Sequence, residues 1–157
     1  MSSKFNFCEH IKRIVAQCGQ TMYALRLLVS RGLSGASLWD VTKATLISRL
    51  TYAMPFWWGF LDSADKRSLE RIVAKAKRWR FLPESHPCVE ELASKRDASL
   101  FREIIRNPNH TLAQLLPPVA NSHHNLRRRV HNRQIPSVAD SLMRKNFLFR
   151  LLFRDAY

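Results

Sequence analysis

Glycine and acidic residues are both scarce in this chain of 157 residues, which has 4 glycines and 12 Asp plus Glu against 26 Lys plus Arg. The shortage of glycine and the lack of strongly alternating apolar and polar runs argue against β-sheet and favour helix. The net charge of +14 predicts binding to polyanions, although it does not indicate a fold. A hydrophobic content of 46% excludes a disordered basic tail, because such tails have too few apolar residues to form a core.

Cysteine is sparse too, and no long hydrophobic run is present. The odd number of cysteines (Cys8, Cys18 and Cys88) predicts reduced thiols in an intracellular protein of the nucleus or cytoplasm, not a disulfide framework. The longest apolar run, residues 50–61, is interrupted by Pro55 and is shorter than the roughly 20 residues that span a bilayer. Residues 1–12 also lack the apolar core of a secretory signal. We therefore expect no membrane partner.

Apolar residues recur at spacings of three and four over most of the chain, which predicts an all-α fold. The expected architecture is a small helical bundle of three main helices plus a fourth, followed by an irregular basic segment and a terminal amphipathic helix. The predicted helices cover residues 5–31, 34–54, 63–82, 89–106 and 138–153. The chain divides accordingly into a three-helix region at 5–82, a helix with a Pro-rich linker at 83–118, and a basic tail with the terminal helix at 119–157.

The third predicted helix has two opposed faces. Asp62 or Ser63 can cap its first turn, since either side chain accepts from free backbone N–H groups. One face is an apolar stripe of Leu69, Ile72, Val73 and Ala76. The other carries four cations over about 16 Å of helix axis, namely Arg67, Arg71, Lys75 and Arg78. Such a row is either a solvated face or a contact with a phosphate backbone, whose charges on one strand lie about 3.4 Å apart.

Three further clusters have residue types that bind nucleic acid or metal. The aromatic corner of Phe56, Trp57, Trp58 and Phe60 either stacks on unpaired bases or packs into the core, which is the commoner role at such a corner. The basic cluster of the tail is either a second phosphate contact or a solvated linker, and consists of Arg127, Arg128, Arg129 and Arg133. His86 and Cys88 have metal-pair spacing, but no partner Cys-x-x-Cys or His-x-x-x-His follows, so we predict no metal site.

The sequence lacks the motifs of an independent enzyme. No paired Asp follows an apolar strand, as a two-metal polymerase centre requires. Neither a phosphate-binding Gly-rich loop nor a Gly-x-Ser-x-Gly elbow is present. The interpretation is a chain without catalytic residues and without a cofactor.

Three consecutive segments contain an ordered set of motifs: KRIVAQCGQTMYALRLLVSRGLS at 12–34, ATLISRLTYAMPFWWGFL at 44–61 and DSADKRSLERIVAKAKRW at 62–79. In this order they resemble the region after the palm in non-LTR retrotransposon reverse transcriptases. The matching positions are Tyr23, Leu25, Arg26, Gly32, Leu33, Ser34, Leu50, Tyr52, Ala53, Pro55, Trp57 and Gly59. Segments 100–118, 125–136 and 146–153 similarly resemble the C-terminal end of such polyproteins.

The resemblance implies a thumb-like region at 5–82 with a C-terminal tail, which grips the template–primer duplex behind a polymerase active site. The implied partners are the backbone of an RNA–DNA or DNA duplex and a reverse transcriptase palm. The Tyr-x-Asp-Asp centre and the endonuclease domain of that family are not in this sequence, so no catalytic residue is carried over. The alternatives are a relic open reading frame without independent function, or a helical adaptor that binds a protein or itself through its apolar Cys8–Val29 seam.

Overall fold

In a computed structural model, the protein is 72% helix, which confirms the predicted all-α class. The structure describes residues 7–120, 131–137 and 140–154, and this part of the chain contains no β-strand. Its α-helices are α1 (Cys8–Ser30), α2 (Gly35–Thr42), α3 (Ser48–Thr51), α4 (Met54–Trp57), α5 (Ser63–Arg78), α6 (Val89–Arg106), α7 (Ser141–Lys145) and α8 (Phe147–Phe153). None of these helices is long and apolar enough to cross a membrane.

Two compact units divide the chain, residues 1–94 and 95–157, and the division falls within α6. The sequence placed no boundary inside this helix, because its apolar spacing continues without a break from 89 to 106. The three predicted segments at 5–82, 83–118 and 119–157 stay a prediction of organisation.

The α1 helix uses most of the predicted seam for the core of the first unit. Ile11, Cys18 and Leu25 are buried there, whereas Val29 is exposed. A surface for self-association would therefore have to use other residues than the buried members of this seam. The helix ends in a Schellman motif, in which Leu33 N–H donates to Leu28 O (3.0 Å) and Gly32 N–H to Val29 O (3.0 Å). Gly32 has φ +96°, which explains why glycine follows this helix.

The second predicted helix, 34–54, is broken into several pieces. A π-helical turn, Lys43–Ile47, separates α2 from α3. The helix then ends at Thr51, since Tyr52 is extended and Ala53 is left-handed (φ +49°). The predicted helix stopped at Met54, just before Pro55. Pro55 instead lies in the first turn of α4, where its missing N–H has no helical partner to lose.

The α5 helix begins as predicted and ends earlier than predicted. Asp62 caps it by accepting from Asp65 N–H at 2.7 Å. Its end is at Arg78, not just before Pro83, because Arg80 adopts a left-handed conformation with φ +59°. Phe81 N–H then donates to Ala76 O at 2.9 Å in a second Schellman motif. The sequence did not show this end, since arginine occupies the position where glycine is usual.

The core of the first unit lies between α1, α5 and the second helical segment, which consists of α2, the π-helical turn and α3. The predicted stripe Leu69, Ile72, Val73 and Ala76 is buried in it. Trp57 and Trp58 are also buried, which confirms the core interpretation of the aromatic corner for these two residues. Phe56, in contrast, is 51% exposed. The corner is fixed by Trp57 Nε1–H, which donates to Tyr52 O at 3.0 Å.

The start of α6 is held by a capping box in which cysteine replaces serine. Glu91 N–H donates to Cys88 Sγ (3.4 Å), and Cys88 N–H donates to Glu91 Oε2 (3.2 Å). A third hydrogen bond comes from α5, where Glu70 Oε2 accepts from Val89 N–H at 2.9 Å. Cys88 therefore has a structural role that its spacing from His86 did not suggest.

The second unit packs the end of α6 against the C-terminal helices. Its core consists of Phe101, Ile104, Phe147, Leu148, Leu151 and Leu152. The predicted terminal helix is interrupted at Asn146, which is extended and accepts from Leu148 N–H at 3.0 Å, so that α7 and α8 are separate. Positions 138 and 139 of that prediction lie outside the described residues.

The segment predicted as irregular contains a short backbone pairing in the second unit. Ala120 N–H donates to Asn132 O (2.7 Å), and Gln134 N–H donates to Pro118 O (2.9 Å). His131 adds a link to α8 through Nε2 and Leu152 O, 3.1 Å apart. Because His131 Nδ1 accepts from Arg133 N–H (3.1 Å), the proton belongs on Nε2, which donates to Leu152 O.

The thiol of Cys18 in α1 has a consequence for stability at high pH. Burial raises the pKa of Cys18 from 9.0 to about 11, although nearby Arg49 lowers it in part. A group whose pKa is raised on folding stabilises the fold below its unfolded pKa, and this is lost as pH rises through the folded pKa. We expect about 2–3 kcal/mol of unfolding free energy to be lost between pH 9 and 11 in the wild type. Denaturant titrations of wild type and Cys18→Ala measure it, since the variant should lack this part of the pH dependence.

Candidate nucleic-acid interface

The four cations predicted on the third helix lie together on the outer face of α5. Arg67, Arg71, Lys75 and Arg78 are all exposed, and the apolar stripe on the opposite side is buried. We call these four residues the α5 row. The two opposed faces predicted from the sequence therefore describe where these four side chains lie. The role of the α5 row in binding stays a prediction.

Lys75 and a residue of α1 share one aromatic ring at the end of the row. Lys75 Nζ lies 4.4 Å from the centroid of the Trp79 ring, and Arg26 Cζ lies 5.2 Å from it. These are cation–π distances, at which the ring restricts both side chains. The basic surface thus continues from α5 onto α1. Sequence reasoning assigned Trp79 no role, although a residue four positions after Lys75 lies on the same helix face.

Two cations near the start of α5 are held by specific contacts, Arg67 of the row and Lys66 beside it. Arg67 Nε–H donates to Ser63 O at 3.2 Å. Since a guanidinium has five N–H donors, this contact leaves donors that a phosphate can use. Lys66, which lies beside the row, has Nζ 4.8 Å from the centroid of the Trp58 ring. The buried tryptophan therefore positions a charge at the surface.

The one acidic residue between Lys66 and Arg80 does not neutralise the row. Glu70 is half-buried, and its carboxylate accepts from Val89 N–H at the start of α6. The positive end of a helix dipole stabilises a carboxylate in this position. The α5 row therefore faces solvent without a carboxylate of its own helix among it.

The second predicted set is described only at Arg133, because Arg127, Arg128 and Arg129 lie outside the described residues. Arg133 is half-buried, and its Nη1 donates to Pro117 O at 3.2 Å. This contact holds the paired backbone segments of the second unit together. A phosphate-binding role for the four residues stays a prediction.

The structure also places the residues that had metal-pair spacing. His86 Nδ1 lies 3.0 Å from Pro87 O, and Cys88 caps α6. Within residues 7–120, 131–137 and 140–154, no group of three or more His, Cys, Asp or Glu side chains could hold a metal ion.

No protein-family model matches the chain, and neither does any curated protein or any solved structure. The resemblance to non-LTR retrotransposon reverse transcriptases therefore stays a prediction from the order of its sequence motifs.

Proposed function

We propose that this chain is a non-catalytic thumb and C-terminal fragment of a retroelement RNA-directed DNA polymerase, which binds the backbone of a template–primer duplex. The observation that carries the proposal is the α5 row, in which four exposed cations lie opposite a buried apolar stripe. The ordered motifs at 12–34, 44–61 and 62–79 support the same assignment. The place of action would be the nucleus or cytoplasm, where such a duplex forms.

The geometry of the row suits a duplex backbone. Over about 16 Å of helix axis, four cations can follow several phosphates of one strand, which lie about 3.4 Å apart along the duplex axis. Contacts of this kind fix the position of a duplex and read no base sequence. A fragment of this kind would hold an RNA–DNA hybrid or duplex DNA of any sequence, and a separate palm would supply the chemistry.

A second candidate is favoured by the apolar residues that α1 leaves exposed near its C-terminal end. Tyr23 is 66% and Leu27 is 51% exposed, and Leu28 and Val29 beside them are also exposed. A helical adaptor would bind a protein there, and a reverse transcriptase palm is one such protein. Sedimentation across a concentration series tests whether this surface also mediates self-association.

The decisive experiment measures the affinity of the chain for RNA–DNA hybrid, duplex DNA and single strands over a series of salt concentrations. If all four row residues neutralise phosphates, the plot of log affinity against log salt for a duplex should have a contribution of about −3.6 from this row. We expect a total slope at least this steep for either duplex. A total slope shallower than about −1, which corresponds to one phosphate contact, would contradict the proposal.

A further inference from the structure

A groove in the first unit lies between α1 and the pieces of the second helical segment, away from the residues of the α5 row. Its volume is about 520 Å³, within the range of roughly 300–1,000 Å³ that ligand sites occupy. The residues that line it come from the first half of α1, from the π-helical turn, from α3 and from Tyr52.

Two arginines give the groove its charge. Arg13 of α1 and Arg49 of α3 line it from different helices, and both are exposed. No aspartate or glutamate is among the described residues of its lining. Glu9, one turn before Arg13, is paired with Lys12 at 2.8 Å. An anion is therefore the ligand that this charge distribution favours.

An aromatic side chain stands at the same groove. Tyr52 is 74% exposed, while its backbone carbonyl is held by Trp57 Nε1–H at 3.0 Å. One exposed aromatic residue alone is ordinary on a protein surface. Beside two arginines, however, it gives the combination of cation and stacking platform that binds an unpaired nucleotide.

The wall of the groove is an irregular helix, along which three hydroxyl groups bond to the preceding turn. Thr42 and Thr45 donate to the carbonyls of Leu38 (2.8 Å) and Val41 (2.7 Å), and Ser48 donates to Ala44 O. Such back-bonds to the preceding turn bend helices, and here they flank the π-helical turn Lys43–Ile47. Turns of this kind occur frequently at functional sites.

His10 adds a polar atom that lacks a partner. Its Nε2 is buried and has no hydrogen bond within the described residues, and its ring lies against the edge of Trp57, with centroids 5.7 Å apart. Buried polar atoms without a partner are rare and call for an explanation. His10 also lines the groove, so this nitrogen without a partner belongs to a side chain of the groove wall.

We propose that this groove binds a single-stranded nucleic acid, with one phosphate between Arg13 and Arg49 and the adjoining base stacked on Tyr52. A duplex does not fit this role, because its bases are already stacked inside the helix and cannot reach the ring. A free nucleoside triphosphate carries more charge than two arginines neutralise, and it is usually held by a Gly-rich loop and a metal ion. The inference goes beyond duplex binding by the α5 row and uses none of its residues.

The test measures fluorescence anisotropy of a labelled eight-nucleotide oligothymidylate with the full chain. The double variant Arg13→Gln/Arg49→Gln should flatten the salt slope by about 0.7, the value for one phosphate of a single strand. Tyr52→Ala should lower the affinity by about 5- to 150-fold, which corresponds to the loss of one stacked base. The matched control is Lys12→Gln/Lys43→Gln, which removes the same charge from neighbouring positions outside the groove and should change the slope far less.

Three results would overturn the proposal. The control variant could lose as much slope as the arginine variant, which would mean that only net charge matters. Tyr52→Ala could bind like the wild type, which would exclude stacking on this ring. Thymidine monophosphate could compete as well as the oligonucleotide, which would indicate a nucleotide site and not a strand site. Since Arg13, Arg49 and Tyr52 are exposed, circular dichroism should show wild-type helicity in every variant.

Discussion

Simultaneous replacement of Arg67, Arg71, Lys75 and Arg78 by glutamine is expected to weaken duplex binding and to flatten its salt dependence by a slope of about 3.6. The four side chains are exposed on one face of α5, so each can release condensed counterions when it meets a phosphate. Between about 50 and 200 mM salt, four such contacts change the affinity roughly 150-fold, and the variant should lack that share. A salt series with duplex DNA and RNA–DNA hybrid measures it.

The control for this variant removes the same number of charges elsewhere. Lys43, Lys95, Arg102 and Arg106 are exposed and do not belong to the row, and their replacement by glutamine should leave most of the slope. Lys75→Gln also removes the contact with Trp79, which is worth about 0.5–1 kcal/mol at an exposed site. Helicity should be unchanged in both quadruple variants. Equal loss of slope in the two would exclude the row as the contact surface.

The spacing of apolar residues was sufficient to predict a helix and its buried face wherever one face is buried and side chains cap the ends. The wheel of α5 placed Leu69 and Val73 in the core and the α5 row in solvent, as the structure has them. For α6 the predicted limits, Val89 and Arg106, are the observed ones. A period of 3.6 residues is a direct consequence of helix geometry, so it is readable without knowledge of any tertiary contact.

The breaks within helices could not be predicted in this way, because they depend on single backbone angles. Ala53 and Arg80 adopt positive φ, and neither residue type signals this conformation as glycine does. The π-helical turn lies among three hydroxyl groups that bond to the preceding turn. These residue types also occur in regular helices, which is why the second predicted helix was drawn as one piece.

Contacts between residues that are distant in the sequence were also missed. Glu70 is the one acidic residue between Lys66 and Arg80, and its carboxylate caps α6 across 19 residues. The sequence identifies Arg26 only as one of the matching motif positions. Its position over the Trp79 ring depends on how α1 packs against α5. No local pattern encodes such pairs, since each residue type is also common on free surfaces.

A pair of the same kind holds the second unit together. Arg150 of α8 makes two hydrogen bonds to Asp97 of α6, at 2.7 Å and 3.4 Å, and the aspartate is only 4% exposed. Burial raises the pKa of Asp97, and the neighbouring Arg150 offsets only part of that rise. A carboxyl whose pKa is raised on folding favours the fold at low pH, and this contribution is lost as pH rises through the folded pKa. Ionisation of Asp97 therefore lowers the stability of the second unit as pH rises.

Asp97→Ala is expected to destabilise the second unit by about 3–5 kcal/mol, because it leaves the Arg150 guanidinium partly buried without its carboxylate. Hydrogen exchange of the α8 backbone amides measures this loss in the second unit, and the α1 amides of the same sample report on the first. We expect faster exchange in α8 and wild-type exchange in α1.

The double variant Asp97→Leu/Arg150→Met removes both members of the ion pair. It therefore separates the cost of leaving Arg150 unpaired from the contribution of the ion pair to the free energy of unfolding. Apolar replacement of a buried ion pair is often neutral or stabilising by about 1–4 kcal/mol, so α8 should exchange at the wild-type rate or more slowly at neutral pH. In the wild type, the free energy of unfolding should rise as pH falls through the raised pKa of Asp97. The double variant lacks this carboxyl and should not show that rise. If the double variant were as unstable as Asp97→Ala, the pair itself would stabilise the second unit, because its attraction would outweigh the cost of burying its charges.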